Sequence, residues 1–246
     1  MDRFQGLIGI VLILMIAFLF SNNKKRINYR LVISGLVLQL TIGVLILKIP
    51  AITKFFQILG KGMGKIEEFA RQGAAFVYGG VAAMGPAGAT DFTNGGFVFA
   101  FNVTATIILV CVLVALLYHF GIMQRIISVI AKAMNFIMRV SGAEALSNVA
   151  SAFVGQVEAQ VMIRPYLPTM TKSEILASMS GSLACIAGGI LVVYANMGAQ
   201  AGMDLAPKLI TASLMAAPGA LVIAKILFPE TEVSQTMGKV TLEVKS

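Results

Sequence analysis

The chain has 246 residues, of which 58% are hydrophobic and only 12% charged, with a mean hydropathy of +0.88. A soluble domain carries about 25% charged residues, so this composition excludes an ordinary water-soluble fold and points to an all-α polytopic membrane protein. The formal net charge of +8 comes mostly from residues flanking apolar runs, with no aromatic-interleaved basic face. That distribution argues against a nucleic-acid partner and for anchoring to the headgroups of a lipid bilayer.

In chain order, Phe4 to Phe20 holds one polar residue, Gln5. At 1.5 Å per residue this run nearly crosses a ~30 Å hydrocarbon core, and without a small-residue cleavage site after it a retained span is expected. The following loop carries Lys24, Lys25, Arg26 and Arg30. By the positive-inside rule that loop is cytoplasmic and the N-terminus lies outside the cell (inner or plasma) membrane. Leu31 to Ile49 returns as a second span, ended by Pro50. Ala51 to Gln72 mixes Ile52, Phe55 and Phe56 with Lys54, Lys61, Glu67 and Glu68, which predicts an interfacial amphipathic helix loosened at Gly60, Gly62 and Gly64. Gly79 to Gly96 reads as a loop, and Phe97 to Tyr118 as a span. Between Gly121 and Arg139 the period is helical, with Ile122, Ile126, Ile130 and Met134 on one face, predicting a second interfacial helix. Ile175 to Met197 and Leu205 to Phe228 complete about five transmembrane helices, and residues 229–246 form a polar tail.

The stretch before Ile175 predicts a different device. Ser141 and Glu144 form one S/T-x-x-E capping box, and Thr171 and Glu174 form another. The first helix can run only to about Val154 before Gly155, roughly 18 Å, or half a membrane. A second short segment, from about Ala159 to Ile163, runs into Pro165 and Pro168. Two half-length helices joined by the polar tip Gly155-Gln156-Val157-Glu158 predict a re-entrant hairpin over about residues 141–170. A carboxylate at bilayer depth is expensive and usually functional, which singles out Glu158. Downstream, Gly188 and Gly189 interrupt an apolar run after Cys185, Ile186 and Ala187. The pair marks either close helix packing or an unwound segment with free carbonyls.

These residues resemble a known family. "SGAEALSNVASAFVGQVEAQVMIRPYLPTMTKSEILASMSGSLACIAGGILVVYANMG" and "LITASLMAAPGALVIAKILFPETEVS", with "FVYGG", "GGFVFAF" and "LLYHFGIMQRII" upstream, are similar to concentrative nucleoside transporters. The resemblance implies a homotrimer that carries a nucleoside together with Na⁺ or H⁺. It implies that Gly155, Gln156, Val157 and Glu158 at the hairpin tip, with Ile190, hold the nucleobase. It also implies a sodium site built from Ser151, Val154, Cys185 and Ile186, largely from backbone carbonyls. Val157 stands where the family usually has Thr or Ser, Ser151 where Asn is usual, and Cys185 where Ser is usual. Because a thiol is a soft ligand for a hard cation, the coupling ion stays open between Na⁺ and H⁺ through Glu158.

The organisation expected is a scaffold-like unit over 1–120, half of a transport domain over 121–228, and the tail. The family's second half has no counterpart in this chain, so the alternative to a transporter is a truncated or split membrane subunit. Such a subunit would bind a nucleoside or a partner chain without transporting alone. An enzyme is not expected: no nucleophile–base pair, metal triad or phosphate loop is present, and no cofactor is implied beyond the coupling ion.

Overall fold

The computed structural model describes residues 2–79, 99–200, 203 and 205–236. The expected loop at Gly79 to Gly96 lies almost wholly outside the described residues, as does the tail beyond Thr236. Every regular element among the described residues is helical. These are α1 (Asp2–Leu19), α2 (Tyr29–Lys48), α3 (Pro50–Tyr78), α4 (Phe99–His119), α5 (Ile122–Met138), α6 (Gly142–Phe153), α7 (Gln156–Ile163), α8 (Lys172–Ala184), α9 (Gly188–Gln200) and α10 (Ala206–Leu227).

Two of them, α2 over Tyr29–Ile46 and α10, are each long and apolar enough to cross a membrane. The count becomes three if α4 and α5, bent by 77° where Gly121 adopts a left-handed φ of 71°, are taken together as one broken span. The expected span at Ile175 to Met197 is split between α8 and α9. Exposed apolar side chains such as Phe20 (77%), Phe76 (90%) and Phe136 (84%) cover the outside, as lipid-facing surfaces require.

Two boundaries and one buried face differ from expectation for local reasons. Pro50 sits at the first turn of α3, where its missing N–H costs nothing, and α3 then runs unbroken through Gly60, Gly62 and Gly64. The buried stripe of α5 is Ile127, Ala131, Met134 and Met138, while Ile122 and Ile126 face outward. The second half-helix, α7, begins at Gln156 rather than Ala159, because the break is confined to Val154 and Gly155.

At the centre lies α10, packed against α1, α2, α3, α6, α8 and α9. Its Leu221, Val222 and Ala224 join Leu31 of α2, Ile127 of α5, Leu146 and Val149 of α6, and Ala177 of α8 in one core. Small residues dominate the contact faces: Gly35 of α2 has no room for a Cβ, which would meet Val222 at 2.3 Å. Without a hydrophobic drive between helices in lipid, such close approach is what helix packing relies on.

Candidate functional site at two helix breaks

The helices α6 and α7 form a hairpin whose turn is Val154 and Gly155. Gly155 has φ 136° and ψ 168°, a region essentially restricted to glycine, so α6 cannot continue and α7 starts in a new direction. A second break lies opposite. Helix α8 ends at Ala184, Cys185 is extended (φ −93°, ψ 150°), and α9 restarts at Gly188. The glycine pair therefore opens α9 instead of interrupting a helix.

Gly188 also serves close packing. A Cβ there would lie 2.7 Å from the backbone oxygen of Phe153, the last residue of α6. A Cβ on Gly155 would lie 3.3 Å from the Ala187 methyl and 2.7 Å from Glu158 Oε2. The two breaks are thus in backbone contact. They bring together the carbonyl ends of α6 and α8 and the N–H ends of α7 and α9, the groups that a helix cannot satisfy within itself. Ser213 of α10 sits where both helices stop. Its hydroxyl donates to Ala152 O at 3.3 Å, and its carbonyl faces the Cys185 thiol at 3.9 Å.

The residues singled out from sequence fall into two groups. Gln156, Val157 and Glu158 occupy the first turn of α7 and are exposed, with Ile190 in the first turn of α9 at 36% exposure. A carboxylate in a helix's first turn is favourably placed, and Glu158 Oε2 lies close over Gly155. Ser151, Val154 and Gly155 are buried behind the tip, and Cys185 and Ile186 are half-buried in the second break. The Ser151 hydroxyl donates to Ser147 O at 2.8 Å, so its proton is committed within α6.

Below the breaks lies a set of polar residues that sequence reading did not assemble. Ser147 and Ser151, one turn apart on α6, face Ser178 and Ser182, one turn apart on α8, with Oγ–Oγ distances of 2.6 and 3.1 Å. Gln160 of α7 joins both pairs. Its amide nitrogen reaches Ser182 Oγ at 2.7 Å, Ser178 Oγ at 3.0 Å and Ser147 Oγ at 3.3 Å, and its amide oxygen accepts from Ser178 at 3.1 Å. Asn148 then bridges α6 and α8 by donating to Glu144 O (2.8 Å) and Ala177 O (3.2 Å). The only sequence signal for this ladder is the i, i+4 serine spacing on two separate helices.

The far end of the hairpin is fastened by charge. Both capping boxes form: Ser141 N–H donates to Glu144 and Thr171 N–H to Glu174, each at 2.7 Å. Lys225, near the end of α10, contacts Glu144 Oε2 at 2.8 Å, Glu230 Oε2 at 3.2 Å and Ser173 Oγ at 3.0 Å. The segment after α10 closes over the start of α6, where Thr236 O accepts from Gly142 N–H at 2.9 Å. It closes over α8 as well, where the Ser234 hydroxyl donates to Glu174. Both carboxyls are almost fully buried, Glu144 held by its capping box and Lys225, Glu174 by its capping box and the Ser234 hydroxyl.

Comparison with known proteins places this architecture. Residues 8–81 match the family model described as Na⁺-dependent nucleoside transporter N-terminus, and residues 100–201 match the one described as nucleoside recognition. The nucleoside permease NupC of Helicobacter pylori is 38% identical over 238 residues, covering 97% of this chain and 55% of the permease. Sodium/nucleoside cotransporter 2 of Rattus norvegicus is 34% identical over 231 residues, covering 94% of this chain and 32% of the cotransporter. The solved structure of CNTnw in an inward-facing substrate-bound state superposes with a TM-score of 0.85 at 38% identity, covering 96% of this chain and 55% of that one. The chain thus spans about half the length of these bacterial and structural matches, and its sequence and its fold agree on one assignment. It is an integral membrane protein that belongs to the concentrative nucleoside transporter family, matching the family's N-terminal half.

Proposed function

We propose that this chain supplies one half of a nucleoside-binding site for cation-coupled transport across the cell membrane. The carrying observation is the close approach of the two breaks, Gly188 to Phe153 O and Gly155 to the Ala187 methyl, which holds exposed Gln156 and Glu158 beside the starts of α7 and α9. Gln156 offers both donors and an acceptor and Glu158 offers acceptors, a combination that suits the nitrogen and carbonyl edge of a nucleobase. Ile190 and Val157 supply apolar contact to its flat face. Val157 cannot hydrogen-bond, so recognition at that position rests on shape.

In this reading the α6–α7 hairpin is re-entrant, and the chain contributes about five membrane crossings, with α8 and α9 as one broken crossing. A coupling Na⁺ would draw on the carbonyls of Val154 and Ile186 with the oxygen of Ser151, and Cys185 would contribute its backbone rather than its sulfur. Proton coupling would instead use Glu158. The protein works as a homotrimer, with the rest of the site supplied by sequence beyond this stretch or by a second chain.

The test is uridine. Proteoliposomes bearing the chain should take up radiolabelled uridine, and Glu158→Gln should abolish uptake. If uptake is absent but calorimetry shows uridine binding that Glu158→Gln removes, the chain is a binding subunit that needs its partner. Loss of neither uptake nor binding in Glu158→Gln would refute the site. Replacing external Na⁺ by choline at fixed pH separates the two coupling ions.

A further inference from the structure

The Gln160–serine ladder stands outside the residues that touch substrate in the reading above, yet it controls where they point. Helix α7 has eight residues, barely two turns, and so short a helix has little stability of its own. Ala159 and Ile163, both fully buried, hold one edge of it. Rotation about that edge is set by Gln160, four residues after Gln156 and therefore on the same face of α7.

The hydrogen bonds of Gln160 close a ring in which every donor finds an acceptor. One amide N–H goes to Ser182, whose hydroxyl donates to Ser151, and Ser151 donates to Ser147 O. The other is shared by Ser178 at 3.0 Å and Ser147 at 3.3 Å, with the Ser147 hydroxyl donating to Ser178 and Ser178 donating back to the Gln160 oxygen. Ser147 and Ser151 are fully buried and Ser178 and Ser182 nearly so, so a lost partner cannot be replaced by bulk water. The ring therefore ties α7 to both α6 and α8 through one side chain.

We propose that Gln160 is a positioning residue for nucleoside binding: through Ser182 and Ser147 it fixes the rotation of α7, and with it the directions of Gln156 and Glu158. The proposal rests on the nucleoside-binding reading of the tip. It assigns Gln160 no contact with substrate.

The experiment uses the purified full chain, with uridine binding followed by calorimetry and backbone hydrogen exchange followed by mass spectrometry. Gln160→Met keeps the length of the side chain and removes its hydrogen bonds. It should weaken uridine binding about tenfold and raise amide exchange across residues 156–163 by a similar factor, while α10 exchanges as in the parent. Because Gln160 acts through Ser182, the double variant Gln160→Met with Ser182→Ala should bind scarcely more weakly than Gln160→Met alone. Unchanged uridine affinity in Gln160→Met, or losses that simply add in the double variant, overturns the proposal. Should Gln160→Met fail to fold, Ser182→Ala alone must weaken uridine binding several-fold, and parental affinity there overturns it. If the parent chain does not bind uridine, the nucleoside reading is what fails. The exchange arm then decides the positioning claim: unaltered exchange across 156–163 in Gln160→Met overturns it.

Discussion

Replacing Lys225 by methionine removes the ammonium that faces the buried carboxylate at the base of the hairpin. Lys225 is 6% exposed and Glu144 1%, so neither group recovers much hydration when the other is lost. The contact of 2.8 Å to Glu144 is joined by contacts of 3.2 Å to Glu230 and 3.0 Å to Ser173 Oγ. Removing one partner of such a buried, hydrogen-bonded pair costs about 3–5 kcal/mol, because the remaining charge keeps its desolvation penalty without its compensation. At ~2–4 °C per kcal/mol for a chain of this size, the melting temperature should fall by roughly 6–20 °C. Far-UV circular dichroism of the detergent-solubilised chain measures this directly. The double variant Lys225→Met with Glu144→Gln removes both charges while keeping their volume, and should recover at least half of the loss. A single variant that melts within about 2 °C of the parent would refute the reasoning, as would a double variant no more stable than the single.

Three further outcomes are expected. Gly181→Ala places a Cβ 1.8 Å from Asn148 Oδ1, so Asn148 must abandon its bonds to Glu144 O and Ala177 O. The cost should be about 2–4 kcal/mol in thermal unfolding, partly relieved by adding Asn148→Ala. Gly155→Ala meets a φ of 136° and would press on Glu158, so uridine affinity should fall with a stability loss of only ~1–3 kcal/mol, measured by calorimetry and melting on the same preparation. Glu174→Gln weakens the bonds that the buried carboxylate accepts from Thr171 N–H and the Ser234 hydroxyl, and should lower thermal stability by about 1–3 kcal/mol in the same melting experiment.

How much of this was legible in the sequence depended on the range of the chemistry involved. Both capping boxes are four-residue signals, and each structural helix starts within a residue of the position its Ser or Thr predicts. Gly155 was readable for the same reason, since a glycine between two short apolar runs marks a left-handed or extended backbone. The buried face of α5 was not, because both of its stripes are apolar and periodicity alone does not say which one meets protein and which one meets lipid. Lys225, inside the expected span Leu205 to Phe228, was not singled out from sequence. Only the return of residues 230–236 over α6 and α8 makes it a buried counter-ion. Gln160 was passed over because its partners lie 13, 18 and 22 residues away, on two helices that no local pattern brings together.

These failures of legibility share a cause that bears on mechanism. Apart from Asn148 Oδ1, the polar groups buried along the serine ladder hydrogen-bond to one another, and with the bonds of Ser213 and Lys225 they tie α6, α8 and α10 together. The polar groups at the tip, Gln156 and Glu158, are exposed and meet no such network, which leaves their capacity for a ligand. Between the two regimes stand the contacts of Gly155 with the Ala187 methyl and of Gly188 with Phe153 O, where the missing Cβ of each glycine lets the two breaks approach closely. A rearrangement that moved α7 alone would have to undo those contacts and break the Gln160 ring in one step. Moving α6, α7, α8 and the start of α9 together disturbs neither. Bistable change at packed interfaces favours the second route, so in the proposed transport cycle the two breaks would move as one unit carried on α6 and α8.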